Sequence, residues 1–231
     1  MGAARAEERP GRQPADRPER PGAERWVPRG PDTGLDDLRR AAEACRGCEL
    51  YEDATQVVFS SGSPTARMML VGEQPGDQED RQGVPFVGPA GKLLHKALRE
   101  AEIHPENVYL TNSVKHFRFA QEGPGKRRIH KTPDLAHMVA CAPWLDAELA
   151  LVDPDVVVCL GSVAAKALLG KDFKVTKERG VVIERELAHG PMTFVATVHP
   201  SAILRRKGAE RDTDFGAFVA DLRVARQALA A

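Results

Sequence analysis

The chain has 231 residues, with 33 basic and 33 acidic side chains, so its formal net charge is zero. This length suits one α/β domain with a terminal extension, and the charge balance argues against a wide basic face for nucleic acid. Residues 1–33 are mostly Arg, Glu, Pro, Gly and Ala. We expect this segment to be disordered, because it cannot bury enough surface to offset its ordering entropy. The folded domain is then expected over residues 34–231.

Targeting signals are not evident in this sequence. The N-terminal segment lacks the apolar core of a signal peptide, and its acidic residues argue against a transit peptide. No apolar run in the sequence approaches the length of a membrane span. We therefore expect a cytoplasmic protein without membrane contact.

Apolar residues at helical or strand spacing outline the domain in chain order. The predicted helices cover residues 35–48, 89–101, 133–151, 162–169 and 214–231, and the predicted strands cover 67–71, 108–110, 156–160, 181–186 and 193–198. Because strands alternate with helices and are continuous apolar runs, they predict a parallel sheet covered on both faces. Polar residues follow three strands, at Glu73-Gln74, Asn112 and His199. Ligands bind at the carboxyl ends of parallel strands, so we expect these side chains to converge there.

A loop that opens with Gly123-Pro124-Gly125 places several cations around one histidine. The cations are Lys126, Arg127, Arg128 and Lys131, and the histidine is His130. Cations at this density attract phosphate. They also lower the pKa of the histidine, which keeps a lone pair on a neutral imidazole. Next to DNA such an imidazole would be a nucleophile; the alternative is a solvated basic loop with an incidental histidine.

The four cysteines are Cys45, Cys48, Cys141 and Cys159. The first two form a Cys-x2-Cys pair at a helix end, whereas the other two lie in a predicted helix and a predicted strand. Disulfides are not expected in a cytoplasmic protein. The alternatives that stay open are an iron–sulfur cluster with four thiolates, a structural zinc site, a redox dithiol, and buried thiols with no shared role.

Several motifs together resemble the family 4 uracil-DNA glycosylases. They are Gly72-Glu73-Gln74-Pro75-Gly76, Pro85-Phe86-Val87-Gly88-Pro89-Ala90-Gly91, Thr111-Asn112-Ser113-Val114-Lys115 and His199-Pro200-Ser201. The resemblance covers nearly everything from Leu35 to the C-terminus. Two features match one subgroup, the UdgX type: Gln74 stands where the ordinary family has Ala, and Arg127-Arg128-Ile129-His130 is an insertion.

The resemblance implies a fold, a cofactor and an activity. The fold is a three-layer α/β/α sandwich on a mainly parallel four-stranded sheet, and the cofactor is a [4Fe–4S] cluster on the four cysteines. The protein would act as a monomer on uracil-containing DNA, including single strands. It would flip uracil out, cleave the N-glycosidic bond and capture C1′ of the sugar through His130 as a stable adduct. The alternatives are a hydrolytic glycosylase that turns over and a non-catalytic iron–sulfur DNA-binding protein.

Three residues are expected to bind the uracil base. Phe86 would stack on it, Asn112 would pair with O4 and N3–H, and His199 would donate to O2 as negative charge develops. Their structural alternatives are a core phenylalanine, a turn-forming asparagine and a loop-capping histidine. By analogy with the family, Glu79 would crowd the C5 edge and reject thymine.

The remaining expected site residues surround the sugar and the phosphates. Glu73 would stabilise the sugar cation or accept a proton from His130. Gln74 would orient Glu73, His130 or the DNA. The cations that we expect to contact phosphate are Lys126, Arg127 and Arg128.

Overall fold

The structure, a computed structural model, describes residues 21–123, 125–187 and 190–229. In these ranges the helices are α1 (Leu35–Ala42), α2 (Leu50–Asp53), α3 (Asp77–Gln82), α4 (Pro89–Glu100), α5 (Leu135–Val152), α6 (Ser162–Leu169), α7 (Val175–Glu178), α8 (Pro200–Leu204) and α9 (Gly208–Ala228). The strands are β1 (Ser60–Gly62), β2 (Met68–Gly72), β3 (Val108–Asn112), β4 (Phe119–Ala120), β5 (Ile129–His130), β6 (Val156–Leu160), β7 (Val182–Leu187) and β8 (Gly190–Thr197).

One sheet has the strand order β1-β3-β2-β6-β8-β7. Its inner strands β3, β2, β6 and β8 are parallel, whereas β1 and β7 pair antiparallel at the two edges. The predicted parallel four-stranded sheet is therefore confirmed as the centre. The predicted strand 181–186 corresponds to β7 at one edge, and β1 at the other edge was not predicted. Strands β2, β3 and β6 are buried along their whole length, which explains why β2 and β6 are uninterrupted apolar runs and why β3 is polar only at its end, at Thr111 and Asn112.

Helices cover both faces of this sheet, so the three-layer sandwich is confirmed. One face carries α1, α5 and α6, with Trp144 in its core, and the other carries α4, α8 and α9, with Phe218 in its core. Helix α5 is apolar and long enough to cross a membrane by length and composition alone, contrary to our expectation. In this fold it is a core helix whose buried face includes Trp144, Leu145 and Leu149.

The N-terminal boundary of the domain differs from the prediction. Ala23 is buried, and its backbone N–H donates to the carbonyl of Ala140 in α5 at 2.8 Å. Ala23, Trp26 and Val27 therefore pack on the core, whereas residues 29–32 are exposed. Residues 1–20 of the expected disordered segment lie outside the described residues. Helix α1 ends at Ala42, so Cys45 and Cys48 lie in the following loop rather than in a helix.

Candidate active site

The carboxyl ends of the parallel strands bring the predicted base-binding residues together. Gly72 at the end of β2 is in register with Asn112 at the end of β3. A Cβ atom on Gly72 would lie 2.3 Å from Oδ1 of Asn112 and 2.8 Å from Cζ of Phe86. Only glycine therefore lets the amide and the aromatic ring approach each other over the strand end. Both side chains are buried, as a pocket for a flipped base requires.

The backbone of Phe86 is held in the left-handed region, with φ of 57°. Bulky residues seldom adopt this conformation, and such strain clusters at functional sites. Gly91 in the first turn of α4 accommodates it, because a Cβ there would lie 1.7 Å from the carbonyl oxygen of Phe86. The ring faces His199, with centroids 6.5 Å apart and planes tilted by 30°. Phe86 is thus both buried and aimed at the site.

His199 follows β8 and caps the N-terminus of α8. Its Nδ1 accepts from the backbone N–H of Ser201 at 3.2 Å and lies 2.8 Å from the Ser201 hydroxyl. The capping function that we considered is therefore real, and it places the ring proton on Nε2. Burial lowers the pKa of His199 to about 4, with smaller contributions from His130 and Arg205. The side chain is a neutral hydrogen-bond donor at physiological pH.

Glu73 follows β2 and carries a carboxylate oxygen without a partner. Its Oε1 is buried and accepts no hydrogen bond from the described residues, and it lies 3.6 Å from Nε2 of His130. Burial raises the pKa of Glu73, while Arg205 and the Thr132 hydroxyl oppose that shift. An unsatisfied buried acceptor of this kind is suited to a positive charge that develops only during a reaction.

Gln74 joins the basic loop, residues 123–131, to the end of β2. Its Oε1 accepts from the N–H of Arg118 at 3.0 Å, and its Nε2 donates to the carbonyls of Arg118 and Lys131 at 3.1 and 3.0 Å. These residues flank the hairpin of β4 and β5, which carries His130. The Gln74 Nε2 also lies 2.9 Å from Nε2 of His130. An amide nitrogen only donates, so this contact requires a lone pair on the histidine Nε2.

His130 is the last residue of β5, and its side chain is 46% exposed. Partial burial lowers its pKa, and Arg205 lowers it further. The sequence also predicts a lowered pKa for His130, but it attributes the shift to the cations of the same loop. In the structure the shift comes from burial and from Arg205, which follows α8. The imidazole is thus neutral near pH 7, with its lone pair facing Glu73 and Gln74. Arg205 is a residue that the sequence analysis did not assign to the site.

The cations of the basic loop separate into two groups. Arg128 does not face solvent: its side chain is 8% exposed and forms ion pairs with Asp77 and with Asp80, the latter at 2.6 Å. The expectation that Arg128 contacts phosphate is therefore corrected, because its guanidinium anchors the loop to α3. Lys126 and Arg127 are exposed and stay candidates for phosphate contact.

Glu79 supports the loops around the pocket. Its two carboxylate oxygens accept from the backbone N–H groups of Gly76 at 3.1 Å and Gly88 at 2.8 Å. The side chain is buried and joins the segment after Gln74 to the segment after Phe86. Rejection of thymine by Glu79 stays a prediction, and what the structure shows is a bracing role.

Three of the four cysteines surround one cavity. Cys45, Cys48 and Cys141 line it together with His116, whereas Cys159 does not. Burial raises the pKa of Cys141 to about 12, and the neighbouring Cys48 and Cys45 raise it further, while Lys115 opposes them. For Cys159 burial is the sole cause of a similar rise. Cys159 sits within β6, opposite Val71 and Ala196, so the prediction that it completes the set of ligands is corrected.

The cavity suits a cluster better than a single ion. In the described part of the chain, no three His, Cys, Asp or Glu side chains converge closely enough to hold one metal ion. Backbone and indole N–H groups point at two sulfurs, from Lys115 to Cys141 at 3.3 Å and from Trp144 to Cys45 at 3.4 Å. Donors of this kind are typical around cluster thiolates. The residues present therefore fit an iron–sulfur cluster, and His116 lies beside the three cysteines as a nitrogen donor that the cysteine count could not reveal.

The geometry accords with comparisons to known proteins. The profile of the Uracil DNA glycosylase superfamily matches residues 59–223. The chain belongs to this superfamily. It is 38% identical over 177 residues to the type-4 uracil-DNA glycosylase of Thermotoga maritima, covering 76% of this chain and 86% of that protein. It is 34% identical over 187 residues to the type-4 enzyme of Archaeoglobus fulgidus, covering 78% of this chain and 89% of that protein.

Proposed function

We propose that this protein excises uracil from DNA and then captures the sugar covalently through His130, as its resemblance to the UdgX type implies. The observation that carries the proposal is the placement of His130. Its Nε2 lies 2.9 Å from Nε2 of Gln74 and 3.6 Å from Oε1 of Glu73, beside the pocket of a uracil-DNA glycosylase fold. A neutral imidazole there adds a nucleophile to the site.

Excision begins when the base leaves the stack and enters the pocket. Phe86 supplies an aromatic face, and the Asn112 amide offers one donor and one acceptor to the O4 and N3–H edge. Cytosine would present the opposite pattern and leave buried polar groups unpaired. The C1′–N1 bond then breaks, and its electron pair stays on uracil N1. The N–H of neutral His199 stabilises the resulting anion at O2.

Capture requires an unoccupied lone pair on His130. The Gln74 amide has two hydrogens for three acceptors, so it can release the histidine and still donate to the carbonyls of Arg118 and Lys131. The Nε2 electron pair then forms the bond to C1′. The imidazolium loses its Nδ1 proton to solvent, which leaves a neutral N-alkylated imidazole. Glu73 stabilises the cationic sugar until that bond forms.

The held histidine competes with water for the sugar. A tethered group near its target has a very high effective concentration, so His130 outcompetes water. Release would need a second activated nucleophile, so we expect the adduct to persist. The protein would therefore act once. As the resemblance implies, it would act as a monomer on uracil-containing DNA, including single strands.

The test uses a labelled uracil-containing oligonucleotide and a denaturing gel. The wild-type protein is expected to give a denaturation-resistant adduct, and peptide mapping should place the sugar on His130. His130→Ala should give free uracil and an abasic site instead, because water enters the vacated space. His104→Ala, which removes an exposed histidine elsewhere, is the matched control and should behave as wild type. Repeated turnover by the wild type would show a hydrolytic glycosylase instead.

We also propose that Cys45, Cys48, Cys141 and His116 hold a [4Fe–4S] cluster. When bound, the cluster would cross-link the loop after α1, the segment after β3 and helix α5. Burial lowers the pKa of His116 to about 4, which keeps a lone pair on the ring. Iron content and visible absorbance test the assignment: Cys141→Ser should lose iron, whereas Cys159→Ser should keep it. Stoichiometric zinc, or iron loss only in Cys159→Ser, would contradict it.

A further inference from the structure

A fully buried ion pair lies beneath the base pocket. The side chains of Lys115 and Glu148 are 1% and 0% exposed, and Nζ contacts Oε2 directly. Glu148 comes from the middle of α5, whereas Lys115 belongs to the turn after β3. Two charges that leave water pay a large desolvation cost, and an apolar pair of similar volume is often as stable. Fold stability alone therefore does not account for this pair.

The hydrogen bonds of Lys115 show what the pair holds in place. Its Nζ donates to the backbone carbonyl of Asn112 at 3.0 Å and to Oγ1 of Thr111 at 2.6 Å. Glu148 completes the network by accepting from Tyr109 and Thr111, each at 2.9 Å. The ammonium group thus donates to Thr111 and Asn112 at the end of β3 and to Glu148 of α5.

The side chain of Asn112 has little room to move at the end of β3. Its Oδ1 would lie 2.3 Å from a Cβ on Gly72, so the amide sits directly on the neighbouring strand end. Beyond Asn112 the chain is tied to β2 through the N–H of Ser113, which donates to the carbonyl of Gly72 at 2.9 Å. Lys115 and the Ser113–Gly72 hydrogen bond thus fix the backbone of Asn112, and with it the point from which the Asn112 side chain reaches the pocket.

We propose that the Lys115–Glu148 ion pair is a positioning device that holds Asn112 in the geometry that reads uracil. This inference rests on the proposed function, since it concerns the base-reading residue of that site. Lys115 acts through Asn112 and does not touch the substrate. The charge on Glu148 is needed to hold the ammonium where its other donors reach the strand end.

A double-mutant cycle tests this inference. In Lys115→Met/Glu148→Leu no charge is left unpaired, so the variant should fold, and its melting temperature and iron content check that it does. At saturating DNA its single-turnover uracil excision should be slower by about tenfold or more, the effect of one misplaced buried hydrogen bond. DNA affinity should be unchanged, because no exposed cation is altered. Tyr109→Phe, which removes a donor to Glu148 but leaves the contacts of Lys115 in place, is the control and should keep the wild-type rate.

The same change in an Asn112→Ala background separates positioning from a general structural role. If Lys115 acts through Asn112, introducing Lys115→Met/Glu148→Leu into Asn112→Ala should slow excision by less than about twofold, because the side chain that Lys115 positions is already absent. The inference would be overturned if the charge-free pair slowed excision by the same factor with and without Asn112. It would also be overturned if the folded charge-free variant excised uracil at the wild-type rate. Should that variant fail to fold, Glu148→Gln, which removes the negative charge of the pair, takes its place in the cycle with the same expectations. A wild-type protein that excises no uracil would instead refute the proposed function itself.

Discussion

Removing the guanidinium of Arg128 should shift the outcome of the proposed reaction from covalent capture towards hydrolysis. Arg128 lies two residues before His130 and joins the basic loop to Asp77 and Asp80 of α3. Its guanidinium also lies 4.9 Å from the ring centre of Phe119 in β4. In Arg128→Ala the hairpin keeps its contacts with Gln74 but loses this anchor.

The magnitude follows from the burial of the partners. Asp77 is 40% exposed, so the main cost is the unpaired charge on Asp80, whose side chain is fully buried. Breaking a buried pair by removing one partner costs ~3–5 kcal/mol. Asp80 still accepts from the N–H of Thr55 at 3.0 Å, so we take the lower value. About 3 kcal/mol lowers the equilibrium constant for loop docking by about 150-fold.

The assay measures adduct and free uracil in the same single-turnover reaction. Arg128→Ala should shift the products strongly from adduct to free uracil, since Phe86, Asn112 and His199 are untouched. Arg127→Ala is the matched control: it removes an exposed arginine from the same loop and should weaken DNA binding without changing that ratio. A wild-type ratio in Arg128→Ala, or an equal shift in both variants, would refute the reasoning.

Three further predictions concern the pocket and its ionisation. Asn112→Ala should slow uracil excision by about 1–3 kcal/mol of activation free energy, measured in single-turnover kinetics; an unchanged rate would mean that the base is read elsewhere. Gly72→Ala should abolish excision while the protein still folds, because the new Cβ displaces both Asn112 and Phe86; circular dichroism and the gel assay together check this. Adduct formation should fall as the pH is lowered through the pKa of His130, which lies below its usual value of 6.5, because protonation removes the attacking lone pair; a rate that rises in acid would contradict this assignment.

The sequence by itself determined the layers of the fold and most of the pocket. Continuous apolar runs such as Met68–Gly72, alternating with helical patterns, indicate central strands, since burial on both faces of a sheet disfavours polar side chains. The carboxyl ends of parallel strands then meet at one edge, so Glu73, Asn112 and His199 converge as predicted. These results follow from local patterns and from the geometry of parallel sheets.

Only the tertiary structure decided which partners the polar side chains find. Arg128 and Arg127 are adjacent and chemically identical, yet one is buried against Asp80 and the other is exposed, because their side chains leave the hairpin in different directions. Cys159 of β6 lies in the apolar core, whereas His116 lines the cavity of the other three cysteines. The sequence shows which hydrogen-bonding and charged groups are present. Which of them pair depends on distances between segments far apart in the chain, and these distances are set by tertiary packing.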